Sequence, residues 1–224
     1  MECRVIGLVG DIGSGKDSAA RFIQAAGAAN RAFAAALRNE LMLVYPDQHA
    51  IKLLTTNNRD EKETPSLLLA ASHVDYTAFP DFRDIVAAQA EKKYGLGSWL
   101  TGKQVPVSPR DVLRWYGTEY RRELFDSDYW VHRLEEWAER QGLGPDDVLV
   151  VPDVRMQNEV DWVRQHGWLV KVLRTDNPHA ANMSTHKSDQ LQAEQVDYVL
   201  YNYGSLLDLG VASLEMCQEL GVLQ

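Results

Sequence analysis

Residues 10–18 read Gly-Asp-Ile-Gly-Ser-Gly-Lys-Asp-Ser, and they stand between an apolar run, Val5 to Val9, and a segment of helical spacing from about 15 to 26. A strand that breaks into a glycine-rich loop and re-emerges as a helix limits the fold more than any other feature of the chain. Such a loop turns successive backbone N–H groups towards an anion, and the start of the helix adds its partial positive charge. Lys16 supplies a mobile cation that can follow β- and γ-phosphate oxygens. Gly13, Ser14, Gly15, Lys16, Asp17 and Ser18 are therefore the expected contacts of a nucleoside triphosphate. The residue after such a lysine ordinarily carries a hydroxyl that coordinates Mg²⁺. Here that residue is Asp17, and the hydroxyl comes one place later at Ser18. A carboxylate suits Mg²⁺, directly or through water, and a metal or phosphate-site role is the favoured reading; it could instead accept a proton or cap the helix that starts here.

The rest of the chain alternates strand-like and helix-like segments. Strands are expected at 4–9, 31–34, 148–151, 168–173 and 197–201. Helices are expected at 81–94, 108–124, 128–141, 157–166, 188–195 and 204–220, with a further one after residue 34 that carries Leu37, Leu41 and Val44 on one side. Val148 to Val151 is continuously apolar, the mark of a strand buried on both faces of a parallel sheet. The expected fold class is α/β, a parallel sheet flanked by helices, in a single domain over residues 1–224. Its core would span about 1–45 and 146–224, with a helical and loop insert at about 46–145 and a polar lid at about 174–188. Within the insert, Pro46, Asn57, Asn58, Pro65 and Pro80 interrupt residues 46–80, which read as loop. Ligands of such a sheet bind beyond the carboxyl ends of its strands, where the glycine loop also lies.

Composition removes several classes. A formal charge of −9 excludes a basic footprint for long nucleic acid. An anionic substrate must then be caught by a local cluster of Arg and Lys. The two cysteines, Cys3 and Cys217, have no metal or redox spacing and read as free thiols of a reducing compartment. The six histidines show no ligand spacing. No apolar run of membrane length and no leader pattern is seen, so a cytoplasmic enzyme without membrane partner is expected.

Two further segments carry chemistry. Asp153 and Arg155 follow the apolar strand 148–151 and, two residues apart, leave its end on the same side. An acidic residue at such a strand end can hold Mg²⁺ or its waters, while the Asp–Arg pair can also serve as a structural ion pair. In the helix that Ser108-Pro109 starts, Val112, Leu113, Tyr116, Tyr120 and Leu124 gather on one side. Arg110, Arg114, Thr118, Arg121 and Arg122 gather opposite them. That stripe is either a solvated face or the wall of an anion site. Gly117, which weakens a helix by about 1 kcal/mol, suggests a close approach of ligand or backbone.

Taken together, several segments resemble the bacteriophage deoxynucleoside monophosphate kinases. They are the Gly-Ser-Gly-Lys16-Asp17-Ser loop, Phe33-Ala34 with Leu37-Arg38, Leu113 to Glu119 with Arg122, Tyr129-Trp130, Asp153-Val-Arg155 with Asn158-Glu159, His186 to Asp189, and Asp197 to Asn202. The resemblance spans nearly the whole chain and implies a P-loop kinase fold. It implies transfer of the γ-phosphoryl group of ATP, with Mg²⁺, to a deoxynucleoside 5′-monophosphate, in the host cytoplasm if the gene is a phage's. Arg38, Arg110, Arg114, Thr118, Trp130, Asp153, Arg155 and Glu159 become acceptor-site positions. Lys16, Asp17, Arg155 and Arg174 become catalytic ones, Arg174 as a lid arginine or a strand-end surface charge. Asp17, Ser18 and Asp153 become the metal-site candidates. His186 would cap or pack the lid. A wall against C2′ of the sugar, from Trp130 or Tyr116, would favour deoxyribonucleotides. Two other readings stay open: another small-molecule kinase such as a dephospho-coenzyme A kinase, and a non-catalytic nucleotide switch. A homodimer is compatible with all three.

Overall fold

Among the described residues, five strands assemble into one sheet, all parallel, whose central strands are apolar on both faces. The computed structural model describes residues 2–95, 104–174 and 196–222. Its strands are β1 (Arg4–Val9), β2 (Ala29–Asn30), β3 (Val148–Val151), β4 (Gly167–Leu173) and β5 (Tyr198–Tyr201), in the spatial order β2-β3-β1-β4-β5. The register pairs Gly7 with Val151 and with Leu169, and Leu173 with Tyr201. Because every pairing is parallel, the carboxyl ends of all five strands lie on one edge. Gly10, Asp153, Arg174 and Asn202 each follow a strand at that edge.

The chain separates into two compact units, Met1–Phe33 with Val131–Gln224, and Ala34–Trp130. The first contains the sheet. Helices α1 (Lys16–Ala25) and α9 (Leu206–Glu219) pack together, and α8 (Gln157–His166) packs on β1 and β4. Ile6, Leu8, Ala19, Ile23, Val150, Val172, Leu200, Leu209 and Met216 form one buried cluster under α1 and α9. Each large aliphatic side chain in such a cluster contributes about 1.5–3 kcal/mol relative to exposure. Cys3 and Cys217 are buried free thiols, as the spacing indicated.

The second unit is helical. It holds most of α2 (Phe33–Val44), then α3 (Gln48–Thr55), α4 (Arg59–Glu63), single 3₁₀ turns at Leu67–Leu69 and Ala71–His73, α5 (Pro80–Tyr94) and α6 (Pro109–Trp115). A π-helical segment, Tyr116–Arg122, continues α6, and α7 (Tyr129–Gln141) follows, running mostly in the first unit. Its core is aromatic: Phe82 meets Tyr116 edge-on at 4.9 Å, and Tyr120 lies 5.3 Å from Tyr116. Such pairs add about 0.5–1.5 kcal/mol beyond burial.

Four sequence expectations need correcting. The second strand is Ala29–Asn30, not 31–34, because Phe33 already begins α2, whose alanines favour helix. Residues 46–80 are not mainly loop. The side chains of Asp47 and Asn58 accept hydrogen bonds from the first-turn N–H groups of α3 and α4, so these short helices start despite their breakers. The helix expected over 108–124 is α-helical only to Trp115 before it widens into the π segment. Leu124 is exposed rather than in the apolar row. The expected helix 188–195 and residues 175–188 of the expected lid, His186 among them, lie outside the described residues. No helix among the described residues is long and apolar enough to cross a membrane.

Candidate functional site

The glycine loop is built by β1 below and α1 beyond. Gly15 stands at the N-cap of α1 with φ 106°, a conformation that favours glycine. A Cβ there would also lie 2.6 Å from Nδ2 of Asn202 and 3.1 Å from Leu209. No side-chain cap serves the first turn of α1, which leaves its N–H groups to a ligand. Asn202, buried at the end of β5, donates from Nδ2 to the Ser14 carbonyl at 2.8 Å and so holds the loop in place. Ser14 is 1% exposed, and its buried hydroxyl has no hydrogen-bond partner.

Lys16 curls back over the loop and donates from Nζ to the carbonyls of Gly10 at 2.6 Å and Asp11 at 2.8 Å. Burial lowers its pKa to about 8, the Arg155 guanidinium adds to that, and Asp17, Asp11 and Asp153 oppose it. Arg155 and three carboxylates are thus near enough to this ammonium group to bias its charge. The first unit thus gathers Lys16, Asp17, Asp153 and Arg155, four of the residues singled out from sequence.

Their individual surroundings differ. Asp17 is exposed in the first turn of α1, and Ser18 behind it is half-buried. Asp153 is half-buried, and its Oδ1 accepts from the backbone N–H of Phe33 at 2.8 Å. Arg155 is exposed. Glu159 is 2% exposed, and its Oε2 accepts from the N–H groups of Arg155 at 2.7 Å and Met156 at 3.0 Å. It caps α8 and shapes the turn that carries Arg155, which makes it a support rather than an expected substrate contact. Arg174 directly follows β4 at the same sheet edge.

Among the described residues, no group of three or more His, Cys, Asp or Glu forms a ready metal cage. Mg²⁺ keeps several waters and usually takes one or two carboxylates besides substrate phosphates. Asp17 and Asp153 are the carboxylates expected to take it, and Asp11 also lies near enough to act on Lys16.

The second unit holds the other candidates. Arg38 on α2 is half-buried, and its buried Nε has no hydrogen-bond partner. Arg110 is ion-paired with Glu63, and Arg114 is half-buried. Thr118, in the π segment, is 7% exposed. The arginine row read from the helical wheel does not survive as a row. The π turn swings Arg121 inward, where its Nε donates to Oε2 of Glu40 at 2.9 Å and it bonds the Tyr116 hydroxyl at 2.8 Å. The same guanidinium lies over the rings of Tyr116, Tyr120, Phe125 and Tyr129. Arg122 reaches back to the Gly117 carbonyl at 3.4 Å.

Trp130 and Tyr116 are also corrected. Trp130 is 2% exposed, its indole N–H donates to the Gly117 carbonyl at 3.0 Å, and Tyr116 is fully buried. Both are core side chains and offer no surface to a base or sugar. Gly117 is small for a similar reason: a Cβ there would lie 2.7 Å from Cδ1 of Leu37, so the close approach is a leucine's, not a ligand's. Sequence reasoning gave no role to Asn202 or to Glu40. The alternation Tyr198, Leu200, Asn202 was the available signal for the former, since period two sets all three on one face.

A family model described as deoxynucleotide monophosphate kinase matches residues 72–211, well over half of the chain. The matched stretch contains Arg110, Arg114, Thr118, Trp130, Asp153, Arg155, Glu159 and Arg174, and it begins after the glycine loop and Arg38. A protein of Acanthamoeba polyphaga mimivirus, provisionally named a deoxynucleotide monophosphate kinase, is 26% identical over 213 residues, covering 88% of this chain and 88% of its own. Among solved structures, TT1252 from Thermus thermophilus aligns over 98% of this chain and 99% of its own at a TM-score of 0.47 and 17% identity. The dephospho-CoA kinase from Campylobacter jejuni aligns over 98% of both chains at 0.44 and 12%.

Proposed function

The chain belongs to the deoxynucleotide monophosphate kinase family, and from that premise we propose that it transfers the γ-phosphoryl group of ATP to a deoxynucleoside 5′-monophosphate. The observation that carries the reading is Lys16, set in a glycine loop at an uncapped helix start, with Arg155, Asp17 and Asp153 around it. An oxygen of the acceptor phosphate forms a bond to the γ-phosphorus as the bond to the β–γ bridging oxygen breaks, leaving ADP and a deoxynucleoside diphosphate. Such transfer asks a protein mainly for alignment and for neutralisation of charge on the moving group. Lys16 and Arg155 supply the positive charge, and loop N–H groups orient the triphosphate. Mg²⁺, when bound through Asp17 or Asp153, would neutralise charge on the phosphate oxygens. Arg38, with its unpartnered buried donor, is the acceptor-phosphate contact that the second unit favours most; Arg114 and Thr118 are secondary.

The test is product formation by the purified chain from ATP, Mg²⁺ and each of the four common deoxynucleoside monophosphates, with a ribonucleotide panel and dephospho-coenzyme A as rival acceptors. A deoxynucleoside diphosphate is expected. In the same assay Arg38→Ala should raise the monophosphate KM by about ten- to a hundredfold, the range of one charge-assisted hydrogen bond, with ATP binding unchanged by calorimetry. Phosphorylation of dephospho-coenzyme A alone, or ATP binding with no transfer to any acceptor, would refute the reading.

A pH dependence follows from Lys16. Its pKa near 8 means the free protein loses this positive charge as pH rises through that value. The kcat/KM for ATP should therefore fall tenfold per pH unit, the slope of a single deprotonation, above about 8. In Lys16→Arg that limb should vanish, because a guanidinium stays charged. Stability moves the other way. Between about 8 and the ordinary lysine value of 10.5 the unfolded chain binds the extra proton, so this group makes folding more favourable as pH rises across that window.

A further inference from the structure

A glycine loop takes an anion only when its carbonyls turn away and its N–H groups turn towards the ligand. Three donors turn the carbonyls here. Nζ of Lys16 takes those of Gly10 and Asp11, the Ser14 N–H also takes that of Asp11 at 3.1 Å, and Nδ2 of Asn202 takes that of Ser14. The lysine's bonds are temporary, because Lys16 must swing towards a triphosphate to follow its oxygens. Asn202 belongs to the sheet and stays. Its own N–H donates to the Leu173 carbonyl at 2.9 Å, next to the pairing of Leu173 with Tyr201, and the residue is 9% exposed.

A trans peptide is planar, so the Ser14 C=O and the Gly15 N–H point in opposite directions. With the carbonyl held on the Asn202 amide, the Gly15 N–H faces away from it. No backbone group among the described residues takes that N–H. The Ser14 hydroxyl, buried and without a partner, does not compete for the carbonyl. We infer that Asn202 is a positioning residue for the nucleotide: it aims the Gly15 N–H at a phosphate of the bound triphosphate, and so sets affinity at the phosphate end of the ligand and not at its base. The inference rests on the reading of the loop as a nucleotide site. Asn202 acts through the peptide and touches no substrate atom. An amide is required because the Ser14 carbonyl can only accept. An ionised carboxylate of the same shape has no proton to donate and would repel the carbonyl oxygen, leaving the peptide free to rotate.

The test is calorimetric binding of ATP and of inorganic tripolyphosphate, a probe with neither base nor sugar, to the full chain. Asn202→Ala and Asn202→Asp should each weaken both ligands by about ten- to a hundredfold, the range of one hydrogen bond to a charged group. ATP and tripolyphosphate should lose the same factor. In steady-state assays of the proposed transfer the KM for ATP should rise by that factor, with kcat and the KM for the monophosphate unchanged, because the contact serves bound ATP before and during transfer alike. Leu200→Val changes packing at a buried residue two places earlier on the same face of β5. It should lower Tm and leave both affinities as they are, which separates aiming of the loop from general weakening of the strand. Unchanged tripolyphosphate affinity in both Asn202 variants overturns the inference. A loss confined to ATP also overturns it, by placing Asn202 at the nucleoside, and so does an equal loss in Leu200→Val. Wild-type binding with no transfer to any acceptor would refute the kinase reading alone, and the loss of affinity in Asn202→Ala would still support this one. A wild-type chain that binds neither probe overturns both.

Discussion

Lys16→Met is expected to reduce phosphoryl transfer at least about a thousandfold, because it removes a preorganised charge from the site where negative charge must be neutralised. The same substitution should make the protein more stable. The lowered pKa of Lys16 records that its charged form is disfavoured by burial and by Arg155. Its hydrogen bonds to the Gly10 and Asp11 carbonyls offset part of that cost. A methionine of similar length avoids the desolvation, and a gain of about 1–3 kcal/mol follows from the size of the shift. Thermal unfolding at pH 7 with steady-state kinetics on one preparation measures both. A variant that turns over near the wild-type rate would remove Lys16 from the chemistry. A variant that is inactive and also less stable would mean that the lysine holds the loop together.

The second large effect lies in the helical unit. Glu40 is 9% exposed; its carboxylate accepts from Tyr116 at 2.9 Å, Tyr129 at 2.8 Å and Arg121 at 2.9 Å. Burial and the nearby Glu40 carboxylate push the Tyr116 phenol up, so it remains a donor. Glu40→Ala strips three donors of their acceptor and leaves the Arg121 guanidinium among aromatic rings without its counter-charge. Removing one partner of a buried pair costs about 3–5 kcal/mol. Arg121 keeps favourable ring contacts, which points to the lower end. A fall in Tm of about 6–12 °C is then expected for a chain of this size. Glu40→Gln with Arg121→Met should recover much of the loss, because the stranded charge goes with its partner. A change below about 0.5 kcal/mol in Glu40→Ala would show that solvent reaches the cluster.

The parallel sheet and the glycine loop were legible because each depends on local pattern. Val148 to Val151 could only be a doubly buried strand, and the glycine spacing needed only its flanking strand and helix. What stayed hidden depends on partners distant in sequence. A helical wheel assumes 3.6 residues per turn, so it placed Arg121 in an arginine row; the π turn breaks that period and aims the side chain at Glu40, eighty-one residues away. Trp130 read as a recognition surface because nothing local says that the Gly117 carbonyl will take its N–H. Residues 46–80 read as loop because prolines and asparagines there outweighed two caps, Asp47 and Asn58, that are short-range signals in themselves. Glu159 became a substrate contact through the family resemblance alone, whereas its place three residues into a helix is the local mark of a cap.

The Asn202 bond to Ser14 has a consequence for how the protein is made. The two residues are 188 positions apart, so the glycine loop is pinned by a strand made long after it. Ribosomes add about 5–20 residues each second, so the loop waits roughly 10–40 s for its anchor. During synthesis β1 also lacks β3 and β4, both of its neighbours in the finished sheet, until most of the chain has emerged. A growing chain should therefore acquire nucleotide affinity late and in one step.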